Sequence, residues 1–176
     1  YYSREPVKQA LHWNAASNFD FKLPAGQSDI SVLGKWFVPA DVEALAVSPH
    51  MHLLGQSMHM SVTYPDGRTT DLIQIPEWDP SWQNTYYFQK PIPLPKGSIV
   101  NAHAIFDNSP HARNPNHPPK LVKWGHSVSD EMCDGFIAVV KKGQDLIQHP
   151  GIDDLGELFA KQRLRNFLRQ AAKQPR

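Results

Sequence analysis

The sequence predicts an all-β protein: an antiparallel β-sandwich of jelly-roll type, followed by one α-helix at the C-terminal end. Three observations lead there. Sixteen prolines are scattered along 176 residues, and proline breaks helices but is tolerated in loops and at strand edges. Short segments of alternating apolar and polar residues recur between turn signals, at the spacing of a sandwich. Only the stretch 153–173 lacks proline and repeats its apolar residues with a helical period.

Taken in order, residues 11–13 and 19–23 are extended, the second ending at the turn Pro24-Ala25-Gly26. Residues 28–38 form a strand with Ile30 and Val32 on one face, closed by Pro39. Val42 to His52 is mostly apolar and reads as a buried strand, after which Gly55 permits a bend or bulge. Ser57 to Tyr64 alternates: Met58, Met60, Val62 and Tyr64 on one face, Ser57, His59, Ser61 and Thr63 on the other. Pro65-Asp66-Gly67-Arg68 is a hairpin turn, because proline presets φ and glycine accepts a positive φ. Residues 69–75 are the return strand. The loop 76–82 carries Trp78 and Trp82, both expected to pack in the core or at its rim. A short aromatic strand spans 85–89, and Pro91, Pro93 and Pro95 mark an edge beyond it. Residues 98–106 and 136–140 are the remaining strands, and a long polar loop, 107–120, lies between them; loops of this length in a compact domain are usually functional or disordered.

The tail has an imperfect apolar stripe: Leu155, Leu158, Phe159, Leu164, Phe167, Leu168 and Ala171. Asp153, Asp154 and Glu157 at its start and Arg165, Arg169 and Lys173 toward its end suit the helix dipole. It is expected to pack on the sandwich; the alternative is a membrane-surface or partner helix. The chain thus divides into a sandwich, 1–145, and a helical tail, 146–176.

Eighteen basic against seventeen acidic residues give no electrostatic basis for nucleic-acid or anionic-membrane binding. No apolar run reaches transmembrane length. Cys133 is the only cysteine, so no intrachain disulfide can form. The start, Tyr1-Tyr2-Ser3 without an initiator methionine, reads as that of a processed or excised piece.

The chemistry centres on Ser48-Pro49-His50-Met51-His52-Leu53-Leu54-Gly55. On a strand, His50 and His52 share a face, so both imidazoles can reach one metal ion. An isolated His-X-His is also commonly just two half-exposed polar residues. Two further groups follow: Phe106-Asp107-Asn108-Ser109 with Asn114-Pro115, and Trp124-Gly125 with Asp130-Glu131-Met132-Cys133. In this order, across residues 1–141, the three resemble the C-terminal domain of the copper type II, ascorbate-dependent monooxygenases. Peptidylglycine α-hydroxylating monooxygenase and dopamine β-monooxygenase belong to that family, and the Asp107-Asn108-Ser109 loop is more similar to its bacterial members.

The resemblance implies one copper ion that binds dioxygen, held by His50, His52 and Met132. Neutral imidazoles suit either copper oxidation state and a thioether favours Cu(I). Three protein ligands leave a position open for dioxygen or substrate. It further implies an external reductant such as ascorbate, an extracytoplasmic setting, an upstream or separate domain carrying a second copper, and a small organic substrate. The departures are informative. Cys133 is expected to be free, because Ala104 stands where animal members have its disulfide partner. Ser48 replaces the arginine that holds a peptide carboxylate, and Asp134 and Phe136 replace an asparagine and a tyrosine. Ser48 makes no bidentate carboxylate contact and Asp134 repels one, so peptidylglycine is not the expected substrate. His111 and His117 read as solvated loop residues and His59 as exposed or supporting; His103 and His126 receive no role. The alternatives to a monooxygenase domain are a Cu(I) carrier or sensor, or a metal-free sandwich that contacts protein or carbohydrate through its tryptophans.

Overall fold

The structure, a computed structural model, describes residues 4–149 and 153–171. The alternating segments become β1 Leu11–Asn18, β2 Lys22–Leu23, β3 Ile30–Phe37, β4 Val42–His50, β5 Gly55–Thr63, β6 Thr69–Ile75, β7 Tyr86–Leu94, β8 Ile99–Phe106, β9 Val122–Lys123 and β10 Cys133–Lys141, and the tail becomes helix α1, Asp154–Ala171. Eight strands hydrogen-bond in the order β6-β5-β8-β3-β1-β10-β4-β7, and β2 pairs with β9. All these ladders are antiparallel. The all-β architecture with a C-terminal helix is as the sequence predicts, realised as one curled sheet rather than two separate ones.

The curl has a hinge line. β1 and β3 meet through a single pairing, Ser17 with Lys35. There Gly34 brings the backbones together: a Cβ on it would stand 2.5 Å from the Ala16 carbonyl oxygen. On either side of this seam, β6-β5-β8-β3 and β1-β10-β4-β7 fold over each other. Gly135 of β10 marks the contact, since a Cβ there would lie 2.7 Å from Met60 Cε and 2.8 Å from Ala102 Cβ. The alternation of β5 is obeyed: Met58, Met60 and Val62 are buried between the layers, and His59 faces outward.

Several sequence expectations shift at their edges. β4 stops at His50 instead of reaching His52, because the next backbone N–H groups leave the ladder for a carboxylate described below. β7 continues through Pro91 and Pro93; it is the last strand of the sheet, where a missing N–H costs no ladder bond. Gly55 opens β5 at a register shift between Gly55 and Ser57, the bulge its glycine allows. Trp78 is buried as expected, but Trp82 is 65% exposed and packs in neither core nor rim.

The long loop 107–120 is held by asparagines. Asn108 is fully buried, and its Nδ2 donates to the carbonyls of Leu23 at 2.9 Å and Lys120 at 2.8 Å. Asn114 Nδ2 in turn donates to Asn108 Oδ1 at 3.1 Å. Buried amides with partners fix backbone that has no ladder of its own.

The helix docks through its first half. Leu155 and Phe159 are buried, and Phe159 meets His12 and Trp36 edge-on at 5.6 and 5.8 Å. Gln162 Oε1 accepts from Trp36 Nε1 at 3.1 Å, while its Nε2 donates to the Phe37 carbonyl at 2.8 Å. His12 Nε2 bonds Asp153 Oδ1 at 3.0 Å, and Lys141 pairs with Asp154. Burying each large apolar side chain contributes about 1.5–3 kcal/mol, enough to seat two helical turns. The rest of the stripe does not follow: Leu164 and Leu168 are exposed. The side chains of Phe167, Arg169 and Ala171, and all of Lys173, lie outside the described residues, as do Tyr1-Tyr2-Ser3.

Candidate metal centre

The end of β4 and the turn after it place the two histidines side by side. Their ring centroids are 5.1 Å apart with planes at 81°, although only His50 is in the strand. Between them Met51 points into the core, fully buried; that anchor turns both imidazoles to the same outer side. Below the turn, the Trp78 indole is buried and its Nε1 donates to the His52 carbonyl at 3.1 Å.

Each imidazole is fixed through the same nitrogen. His52 Nδ1 faces the Asp130 carbonyl oxygen at 3.0 Å, and His50 Nδ1 faces Gln83 Oε1 at 2.5 Å. Both partners are acceptors, so Nδ1 carries the proton and the lone pair lies on Nε2. Gln83 is itself oriented, its Nε2 donating to the Pro80 carbonyl at 2.8 Å. Two neutral imidazoles with oriented Nε2 lone pairs are the donor arrangement a transition metal requires.

The backbone of Met132 is tied to the histidine turn by its neighbour. Glu131 is fully buried. Its Oε2 accepts the backbone N–H groups of His52 at 2.8 Å and Met132 at 3.2 Å, and its Oε1 accepts that of Leu54 at 2.6 Å. One carboxylate thus joins the histidine turn to the segment that bears Met132. Burial pushes the Glu131 carboxyl up to about 7, against the pull of those three N–H donors.

The strand register builds the surroundings. Asp134 lies opposite His50, and Phe136 opposite Ser48; the Phe136 ring is 6.3 Å from that of His50. Asp134 is buried, which raises its carboxyl, while the Ser17 hydroxyl and the histidines His50, His52 and His126 pull it down. Phe136 is followed on this outer face by Ala46 and Ala138, paired across β4 and β10, with Trp13 opposite Ala138 and Tyr87 opposite Ala46. Both aromatics are exposed. Cys133 is free and buried, and burial pushes its thiol up to about 12. Ala104 is buried on β8.

The remaining histidines make other contacts, although His126 is near enough to Asp134 to pull on its carboxyl. His111 bonds within its own loop, Nε2 to the Asp107 carbonyl at 3.0 Å and Nδ1 from the Arg113 N–H at 3.2 Å. His126 packs against Trp124 at 4.9 Å. Among the described residues no three His, Cys, Asp or Glu side chains converge. The contacts of Gln83 and of the Asp130 carbonyl with the two imidazoles had no signal in the sequence. Glu131 was visible only as part of a motif, Asp130-Glu131-Met132-Cys133.

With this geometry in place, comparison with known families is decisive. The family described as copper type II ascorbate-dependent monooxygenase, C-terminal domain, matches residues 32–145. The chain belongs to that family. The match begins in β3 and runs past the end of β10, so it contains the histidine turn, Gln83, Glu131 and Met132. No curated protein matches the sequence. Among solved structures, the fold is similar to VP2 of infectious bursal disease virus, as a subviral particle, at TM-score 0.38 and 10% identity over 77% of this chain and 33% of that one. It is similar also to the Gx strain virus structure, at TM-score 0.38 and 12% identity over 78% and 33%. This chain spans about a third of the length of those viral chains. Neither likeness bears on function. The copper monooxygenase domain has no helix, among the described residues, long and apolar enough to cross a membrane.

Proposed function

We propose that this domain holds one copper ion through His50 Nε2, His52 Nε2 and the Met132 thioether, and serves as the oxygen-binding half of a monooxygenase. The observation that carries the proposal is the shared orientation of the two imidazoles, each Nδ1 committed to an oxygen acceptor. The tether of Met132 to the same turn through Glu131 supports it. When bound, copper supplies dioxygen activation for hydroxylation of a C–H bond, with one oxygen atom leaving as water and two electrons coming from a reductant such as ascorbate.

The chain's own residues do the positioning. Gln83 and the Asp130 carbonyl hold the imidazole tautomers, and Glu131 keeps both ligand-bearing segments in register. Ser48 and Phe136 line the approach beside His50, where no side chain offers a carboxylate a bidentate partner. Buried Asp134 disfavours an anion there. Ala46 and Ala138 are themselves buried, and the exposed Trp13 and Tyr87 on either side of them offer apolar surface to an uncharged substrate. We place the boundary between this copper domain and the helical tail at 145/146, and assign the protein to an extracytoplasmic compartment, where copper and oxygen chemistry belong. A second copper on an upstream or separate domain is the expected partner.

X-ray absorption of the Cu(I) form tests the ligand set: wild-type protein shows sulfur scattering that is lost in Met132→Ile. A sulfur signal that persists in the variant rules out the thioether. Substrate-dependent oxygen uptake by the copper-loaded parent protein with ascorbate tests the activity; stable Cu(I) without uptake points to a carrier instead.

A further inference from the structure

Two more histidines face each other on the opposite layer. His59 of β5 and His103 of β8 are direct cross-strand partners. Both lie on the outer face, because the residues flanking them, Met58 and Met60 on one strand and Ala102 and Ala104 on the other, are buried inward. Directly opposed residues in an antiparallel pair have Cβ atoms about 4.5–5.5 Å apart, a span that two imidazoles can close around one cation.

Each ring is already fixed, this time through Nε2. His59 Nε2 bonds Asp71 Oδ1 at 2.7 Å, and His103 Nε2 bonds Ser31 Oγ at 2.7 Å. Asp71 is on β6 and Ser31 on β3, the strands flanking the pair. The four residues therefore form a polar row, Asp71-His59-His103-Ser31, across the layer. An imidazole that donates Nε2–H to a carboxylate presents its lone pair at Nδ1, and the carboxylate strengthens it as a ligand. His59 thus repeats the first pair with its nitrogens exchanged, and the Ser31 hydroxyl, which can accept as well as donate, allows His103 the same tautomer. Both rings line a concavity of about 250 Å³, room for a cation and its water. Among the described residues no His, Cys, Asp or Glu beyond the Asp71 that holds His59 joins them, so water completes the coordination.

We propose that His59 and His103 form a second, surface site for a borderline divalent cation, bound through their Nδ1 atoms with Asp71 and Ser31 holding the rings. Imidazole ligands without a thioether select Cu²⁺ over Zn²⁺ by the general affinity order and give no advantage to Cu(I). The site is independent of His50, His52 and Met132, which lie on the other layer.

The test uses the whole chain carrying His50→Ala and His52→Ala, so that the first site does not compete. Zn²⁺ is titrated while the histidine ring signals are followed by NMR, and Cu²⁺ binding is followed by EPR. The ring signals of His59 and His103 are expected to move together, with nitrogen coupling in the Cu²⁺ spectrum. His59→Gln or His103→Gln lowers affinity at least tenfold, and Asp71→Asn lowers it about tenfold while leaving both ligands in place. All these side chains are on the outer face, and an unchanged amide spectrum establishes that each variant is folded. Ring signals unmoved by millimolar Zn²⁺, or affinity unchanged in the folded glutamine variants, overturns the proposal.

Discussion

Glu131 Oε1 accepts the backbone N–H of Leu54 at 2.6 Å across 77 residues of sequence. The other oxygen of the same carboxylate takes the N–H groups of His52 and Met132. A single buried side chain thereby substitutes for a β-ladder at the point where β4 gives way to the histidine turn. Glu131→Ala leaves three buried or half-buried donors without a partner, at about 1–3 kcal/mol each. Urea denaturation should show a loss of about 3 kcal/mol or more, and copper affinity should fall with it. A variant of wild-type stability would mean that the carboxylate is not the clamp.

Gln83 offers a cleaner separation of stability from metal binding. Its side chain is exposed and makes contact with His50 through Oε1. Gln83→Leu removes the acceptor that sets the His50 tautomer without opening the core. Copper affinity should drop about 10–100-fold, the usual effect of losing such a partner, while the thermal midpoint stays near that of wild type. Competition with a Cu(I) chelator measures the first and calorimetry the second.

The seam between the two halves of the sheet gives a backbone prediction. At Gly34 any side chain meets the Ala16 carbonyl, not a movable side chain. Gly34→Ala should therefore destabilise by about 1–3 kcal/mol, as overpacking does. Gly67→Ala provides a contrast: its Cβ meets nothing, but its φ of +86° is strained for any L residue, so its cost comes from conformation alone. Equilibrium unfolding of the two variants, alongside a Gly34→Ser variant, distinguishes contact from conformation, since only the seam penalty grows with side-chain size.

Acid should loosen the helix. The Lys141 ammonium bonded to Asp154 holds that carboxyl below its usual 3.8. A carboxyl with a lower value folded than unfolded adds stability above 3.8, and that stability is lost as pH falls through the folded value. The pair is well exposed, so screening limits it to about 0.2–1 kcal/mol. The stability difference between wild type and Lys141→Met should be constant from pH 5 to 7 and vanish in stronger acid. A difference that persists there would place the effect of Lys141 outside this pair.

Much of this was legible in the sequence, for physical reasons that differ by element. Alternation in β5 fixed which face Met58 and Met60 bury, because period two leaves no other choice. The His50-His52 pair was visible through the same rule, although His52 proved to lie beyond the strand; the buried Met51 between them preserves the shared side. The prolines pointed to an edge, and Pro91 and Pro93 do lie in the edge strand β7; only its length was underread, because the edge position removes proline's penalty. Gln83 could not be read at all, since its bond to His50 depends on how the 76–85 loop closes over β4. The dual role of Glu131 was equally hidden: sequence placed it beside Met132, and only the fold brings His52 and Leu54 to it.

The clamp at Glu131 also bears on motion. Turns at strand ends ordinarily exchange their amide protons quickly, because local opening there breaks few contacts. The amides of His52 and Leu54 sit in such a turn, yet they bond a carboxylate anchored between β9 and β10. In hydrogen-exchange experiments on the metal-free chain, both should be as protected as strand amides and open only when the sheet itself opens. The pocket would then meet its metal already rigid, and loading copper would order almost nothing.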